Sequence, residues 1–211
     1  RARRLERISY EEMLEMASLG AKVLQTRSVE LAMAKKVPLR VLSSFIEPDD
    51  HGVLPDKGGT LICDEEEIVE KRIVSGVTMS RDEARITLLG LGDRTDAPAD
   101  VFTRLAEAGV NVDMIVQSQS RTEGAVNLTF TTGRRDATRA AELMRAAQAD
   151  IGFQEIRLDE DVAKVSVVGV GMRSHAGVAQ TMFRALADKG IKFQAISTSE
   201  IKISVLIDAA Y

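Results

Sequence analysis

Two Gly-x-Gly turns are the first residues whose types and spacing could do chemistry: Gly90-Leu91-Gly92 and Gly169-Val170-Gly171, each closing an apolar run. Glycines so placed let the chain leave a strand sharply, and backbone N–H groups at the start of a following helix can hold an anion. Neither turn has the third glycine of a dinucleotide loop, so the signal for a nucleotide is weak. The carboxylate of a free amino acid suits the same N–H groups, and its ammonium could be accepted by Asp93 or by the amide oxygen of Gln117. Asp93, Asp96 and Asp100 crowd one loop, but without a glycine-anchored frame they read as capping and ligand contact rather than a hard-cation site. His175, in Arg173-Ser174-His175-Ala176-Gly177, has no Ser/Asp or Cys partner in sequence and reads as a loop hydrogen bond; His51, in a Gly/Pro-rich stretch, reads as solvated. Ser197-Thr198-Ser199-Glu200-Ile201 is a polar hairpin turn whose hydroxyls and carboxylate also make a ligand edge. No catalytic residue and no metal site is read from these patterns.

The elements that must position these residues come in two styles. Ser9 followed by Glu12 predicts a capping box opening a helical stretch over 9–36, broken at Gly20, with a second helix from Ser28 to Lys36 stopping before Pro38. A short strand follows at 39–42, then a Pro/Gly/Asp-rich linker over 46–59, a strand in Gly-Thr-Leu-Ile-Cys-Asp, and an acidic run, Asp64 to Glu67, opening a short helix. From residue 73 strands and helices alternate: strands at 73–79 and 85–91 split by the polar turn Ser80 to Glu83, a helix at 98–108, strands at 112–116 and 125–131, a helix at 135–149 and a strand at 154–158. Then a strand at 164–170, a helix at 178–189 and strands at 193–197 and 202–207 repeat the order.

The repetition extends to the residues. Arg85-Ile-Thr-Leu-Leu-Gly-Leu-Gly-Asp-Arg aligns with Lys164-Val-Ser-Val-Val-Gly-Val-Gly-Met-Arg, and the segment from Phe102 aligns with that from Phe183; both helices end at a glycine, Gly109 or Gly190. Each copy reads β-α-β-β, completed by α-β in the first, which is ferredoxin-like; the second copy stops at Tyr211.

Composition bounds the function. Twenty-eight basic against 32 acidic residues give a net charge of −4, and aromatics make up 4% with no Trp, which argues against a general nucleic-acid binder and disfavours an RNA-binding βαββαβ domain. No apolar run approaches the roughly 20 residues of a membrane span, so no membrane partner is expected. One cysteine, Cys63, makes no internal disulfide, which fits a cytoplasmic protein. The chain opens without Met and reads as a piece of a longer protein.

Gly20-Ala-Lys-Val-Leu-Gln-Thr-Arg-Ser-Val-Glu30 resembles the end of the aspartate kinase catalytic domain, and Val112-Asp-Met-Ile-Val-Gln117, Gly169-x-Gly-Met-x-Ser-His-x-Gly177 and Ile196-Ser-Thr-Ser-Glu-Ile-Lys-Ile-Ser-Val205 resemble that family's paired ACT domains. The resemblance covers nearly the whole chain. It implies an α+β protein with tandem ferredoxin-like βαββαβ (ACT) domains: a remnant of the amino-acid-kinase catalytic domain over 1–45, a linker over 46–72, a first ACT domain over 73–160 and an incomplete second over 161–211. It implies an allosteric regulatory region, non-catalytic by itself, of the enzyme that makes 4-phospho-L-aspartate from ATP and L-aspartate. Its effectors would be lysine and/or threonine, giving feedback control of aspartate-family amino-acid biosynthesis. The alternative is a stand-alone ACT-type sensor regulating another enzyme; the Gly20–Glu30 segment favours the first. Carried over residue by residue, the family's pattern puts effector contacts on Asp93, Arg94, Thr95, Asp96, Ala97 and Pro98, on Asn111, Val112, Asp113 and Gln117, and on Val178, Ala179, Lys192, Phe193, Ser199 and Glu200. It makes Lys22 and Val23 a nucleotide-contacting pair of the kinase remnant. No cofactor is implied for this piece, ATP and magnesium for the whole enzyme; the partners implied are its own kinase domain and a second copy, in at least a dimer.

Overall fold

The capping box forms. In the computed structural model Ser9 Oγ accepts the Glu12 N–H at 3.2 Å, and the Glu12 carboxylate accepts the Ser9 N–H at 3.3 Å, so helix α1 (Tyr10–Met16) starts where the sequence places it. The structure describes residues 3–68, 72–92 and 94–211. Two units emerge, each assembled from separated stretches of chain: Arg1–Met79 with Ser166–Phe183 and Thr198–Ile203, and Ser80–Val165 with Arg184–Ser197 and Ser204–Tyr211.

In the first unit, β1 (Arg7–Ser9) runs into α1, which continues as a π-helical turn (Ala17–Ala21). The expected break falls at Gly20, whose φ of 102° only glycine adopts at ease, and Lys22 follows in the left-handed region. Helix α2 (Thr26–Lys35) begins two positions before the expected Ser28 and stops at left-handed Lys36, ahead of Pro38. Strands β2 (Leu39–Val41) and β3 (Thr60–Cys63) complete a three-stranded sheet, β1-β3-β2, with β1 parallel and β2 antiparallel to β3. Helical spacing points Met13, Val29 and Ala32 at Ile8 and Ile62, and these side chains are buried together. In the linker, Asp49 Oδ1 accepts the N–H groups of His51 and Val53, and His51 is exposed. Asp64 caps the short 3₁₀ turn Glu65–Glu67.

The second unit contains most of a six-stranded sheet, in the order β5-β6-β4-β7-β9-β8, formed by β4 (Gly76–Gly92), β5 (Val112–Gln119), β6 (Ala125–Thr132), β7 (Glu155–Val168), β8 (Phe193–Thr198) and β9 (Lys202–Asp208). Two expectations are corrected here. The strands predicted at 73–79 and 85–91 are one strand, β4, and those predicted at 154–158 and 164–170 are one strand, β7. The polar runs Ser80-Arg81-Asp82-Glu83 and Asp159-Glu160-Asp161 contain neither Gly nor Pro, and an extended chain passes through both without turning. Strands of both sequence repeats thus share one sheet, with β7 common to the two. Helices α3 (Ala97–Glu107) and α4 (Arg134–Ala146) bury Val101, Leu105, Ala140, Ala141 and Met144 against Ile86, Leu88, Leu128 and Phe130. Phe102 meets Phe130 edge-on, with ring centroids 5.9 Å apart. The helix expected over 135–149 ends at Ala146 and is followed by a short α5 (Gln148–Ile151). Gly109 and Gly190 both take φ of 68°, as expected of helix ends. No helix among the described residues is long and apolar enough to cross a membrane.

The sheet also buries charge. Lys164 Nζ on β7 lies 2.6 Å from Glu83 Oε1 on β4 and bonds Asp113 of β5; the Lys164 and Glu83 side chains are only 6% and 8% exposed. Burial pushes the Glu83 carboxyl above the usual carboxylate range, against the pull of Lys164. Burial opposes the Lys164 ammonium too, but hydrogen bonds to Asp113 and Glu83 outweigh it and hold the pKa above the ordinary lysine value. The Lys164 contribution to stability is therefore complete below about pH 10.4 and is lost as pH rises through the raised value. Lys164→Met, followed by urea unfolding at pH 7, should cost about 3–5 kcal/mol, because it strands the buried Glu83 charge. Adding Glu83→Gln should recover at least half of that; a Lys164→Met loss below about 1 kcal/mol contradicts the assignment.

Candidate functional site

The two Gly-x-Gly segments, alike in sequence, do different things. Gly90 sits in a β-bulge of β4 with φ of 64°, and the register with β6 shifts between Leu88 and Leu91. Its N–H donates to Asn127 Oδ1 at 3.2 Å and that of Gly92 to the Gly152 carbonyl at 3.3 Å, so neither is offered to a ligand. Gly169 and Gly171 instead lie under another stretch of backbone. A Cβ on Gly169 would come within 2.8 Å of Val74 Cα, and one on Gly171 within 2.6 Å of Ile73 Cα. Ser75 N–H donates to the Val168 carbonyl at 2.8 Å beside this crossing.

Beyond Gly171 the chain turns through a 3₁₀ segment (Val170–Arg173) into the loop before α6 (Val178–Asp188). Met172 N–H returns to the Gly169 carbonyl at 3.1 Å, and His175 Nδ1 lies 2.9 Å from the Gly171 carbonyl, the loop hydrogen bond expected of this histidine. Opposite, the β8–β9 hairpin turn is closed by Ser199 N–H donating to the Lys202 carbonyl at 2.8 Å. Between turn and loop, inside the first unit, is a cavity of about 570 Å³ lined by Met172, Arg173, His175, Gly177, Val178, Ala179, Thr198, Ser199, Glu200 and Ile203. Arg173 spans its rim, with Nη1 3.0 Å from Glu65 and Nε 3.3 Å from Glu200.

This cavity brings together four residues predicted from sequence: Val178, Ala179, Ser199 and Glu200. Its parts have opposite polarity. Val178 and Ala179 form the first turn of an eleven-residue helix, where backbone N–H groups lack intrahelical acceptors and favour a carboxylate. Thr198, Ser199 and Glu200 offer hydroxyls and a carboxylate to an ammonium. Arg173, missed as a site residue, aligns with Arg94 in the sequence repeat, and that alignment could have found it.

The other predicted contacts lie elsewhere. Asp93 is outside the described residues. Arg94 pairs with Asp96 at 3.0 Å and Asp100 at 2.7 Å; Thr95 is exposed; Ala97 is buried and its N–H closes the turn on the Arg94 carbonyl; Pro98 is the second residue of α3. Asn111 and Val112 line an apolar groove with Phe102, Leu105, Ala106 and Ile115, whereas Asp113 is drawn to Lys164. Gln117 is exposed on β5 opposite Leu128. Lys192 and Phe193 are exposed at the start of β8. Lys22 and Val23 sit exposed in the turn between the π-helical turn and α2.

Comparison with known proteins adds to this geometry. A family model of the ACT domain matches residues 86–148 and 165–211. An aspartokinase of Pseudomonas aeruginosa is 50% identical over all of this chain and 49% of its own length. The chain spans about half the length of the curated relatives it matches. The ligand-free regulatory subunit of aspartate kinase from Thermus thermophilus is 41% identical, with a TM-score of 0.62, over 66% of this chain and 91% of that one. Aspartokinase III of E. coli, solved with aspartate and ADP, is 26% identical with a TM-score of 0.76 over 99% of this chain and 44% of that one.

The two glycine segments give a direct test. Gly171→Ala drives a methyl group into the backbone at Ile73 and should cost about 1–3 kcal/mol. Gly92→Ala, where a Cβ meets nothing within 4 Å, should stay within about 0.5 kcal/mol of wild type in the same thermal or urea unfolding measurement. Equal costs at the two positions contradict the backbone crossing.

Proposed function

Because the chain belongs to the aspartate kinase family and carries its ACT-domain regulatory region, we propose that it senses a free amino acid in the cavity between the Arg173–Ala179 loop and the Ser199–Glu200 turn. Through this it controls transfer of phosphate from ATP, with magnesium, to L-aspartate by the kinase domain of the whole protein. The observation that carries the reading is the cavity's lining: the first turn of α6 together with the hydroxyls and carboxylate of Thr198, Ser199 and Glu200, a pairing of groups suited to a zwitterion. A free amino acid would place its carboxylate on the Val178–Ala179 N–H groups and its ammonium toward Glu200 and Ser199. The family resemblance favours lysine and/or threonine, and a product of aspartate metabolism binding here would act as feedback control.

A second reading has support of its own. The solved Thermus thermophilus chain is a regulatory subunit and is matched over 91% of its length, so the present region could serve an aspartate kinase as a separate subunit. Self-association is part of either reading. The six-stranded sheet ends in β5 and β8, and these strands carry half-exposed Ile115 and Phe193.

Calorimetric titration with lysine and with threonine should show binding at micromolar to millimolar concentration. Glu200 is 81% exposed, so its charge is screened and Glu200→Ala should weaken binding only about two- to fivefold. Ala179→Phe, which fills the cavity, should abolish it. If neither amino acid binds the wild-type chain, the sensing reading is wrong. Light scattering should give at least twice the 23.0 kDa chain mass at micromolar concentration, and the single-chain mass throughout that range would refute self-association.

A further inference from the structure

We propose that Glu12 is a positioning residue that fastens helix α1 to the wall of this cavity, so that filling the cavity is transmitted to α1. The identity of the ligand rests on the reading above, but the fastening does not. Glu12 is 2% exposed, and its two oxygens have separate tasks. One accepts the Ser9 N–H and completes the capping box, which is all that starting a helix requires. The other, Oε1, accepts the Val170 N–H at 2.9 Å and the Ser75 hydroxyl at 2.6 Å. Neither of those bonds serves the cap.

Val170 opens the 3₁₀ turn whose far end is cavity wall. Met172 N–H on the Gly169 carbonyl and His175 on the Gly171 carbonyl stiffen the chain from 169 to 175, so Glu12 grips one end of a short rigid segment whose other end faces the ligand space. The opposite rim is tied to the same helix. Glu15, three residues on and so on the same face of α1, pairs with Lys202 at 3.1 Å, and the Lys202 carbonyl holds the Ser199 N–H. Both rims therefore hang on one seven-residue helix. A ligand that changes the spacing of the rims must shift α1 or break a buried charge-assisted hydrogen bond, and the second is costly. Helix α1 is joined directly to the π-helical turn (Ala17–Ala21), so a displacement of α1 is carried out of the cavity as far as the break at Gly20.

The test is amide hydrogen exchange over 10–21 in the 211-residue chain, with the cavity filled in two ways: by millimolar lysine or threonine, and by the Ala179→Phe side chain. Filling should change exchange of these amides by about threefold or more in the wild type. The change should persist in Ser9→Ala, which breaks only the cap, and in Glu12→Gln, which keeps Oε1 as an acceptor for Val170. It should fall by about half in Glu12→Ala, which leaves the Glu15–Lys202 tie, and vanish when Lys202→Met is added. An undiminished response in Glu12→Ala, or none to Ala179→Phe in otherwise wild-type chain, overturns the proposal. Should Glu12→Ala fail to fold, Lys202→Met, which cuts the second tie alone, must lessen the response by about half, and an unchanged response overturns it equally. If no amino acid binds the wild type, the sensing reading fails while the Ala179→Phe arm still decides the role of Glu12.

Discussion

A single buried carboxylate closes the junction on which the first unit depends. Glu12 holds the start of α1, the hydroxyl of Ser75 and the N–H of Val170, three points widely separated along the chain. Beside it, Gly169 and Gly171 let the backbone of residues 72–74 pass at a separation that no side chain would allow. Hydrogen bonding and close approach thus specify the same register: a shift of one residue in the Gly-Val-Gly turn would present a Cβ to the crossing backbone and withdraw the Val170 N–H from its acceptor. The glycines are fixed here by what lies over them, and in β4 by the bulge at Gly90.

The second unit solves a different problem. Two long strands, β4 and β7, lie side by side at the centre of its sheet, and each carries polar residues through its middle. Lys164 and Glu83 on these neighbours neutralise one another where neither could stand alone, with Asp113 completing the set. Strong local charge is usually a sign of a turn. In this sheet it is a cross-strand pair, and continuity of both strands is what brings it about.

Much of this was legible in sequence. Ser9 and Glu12 located the start of the first helix to the residue, Gly20 the break in the helical stretch, Pro38 the end of the second, and the repeat the alternation of strands and helices. Family resemblance picked out Val178, Ala179, Ser199 and Glu200, which share a cavity. What escaped depends on distance along the chain. The capping box accounted for one oxygen of Glu12, and nothing near it in sequence points to Val170. Ser80–Glu83 looked like a turn because the lysine that draws Glu83 inward is residue 164. Arg173 has ordinary sequence surroundings, and only its alignment with Arg94 in the repeat marks it.

The separation between Glu12 and Val170, 158 residues, also bears on how the chain reaches its fold. Contacts this far apart close large loops late, and they slow folding relative to helices and hairpins formed from neighbours. During synthesis the three-stranded sheet and its two helices would be complete long before residues 166–183 and 198–203 arrive to seal them. Until then Glu12 has its cap but not its remaining partners, and the apolar surface awaiting those segments stays open. A newly made chain of this kind passes through a stage in which the three-stranded sheet waits for segments made much later, and in that interval chaperones and proteases have the most to recognise.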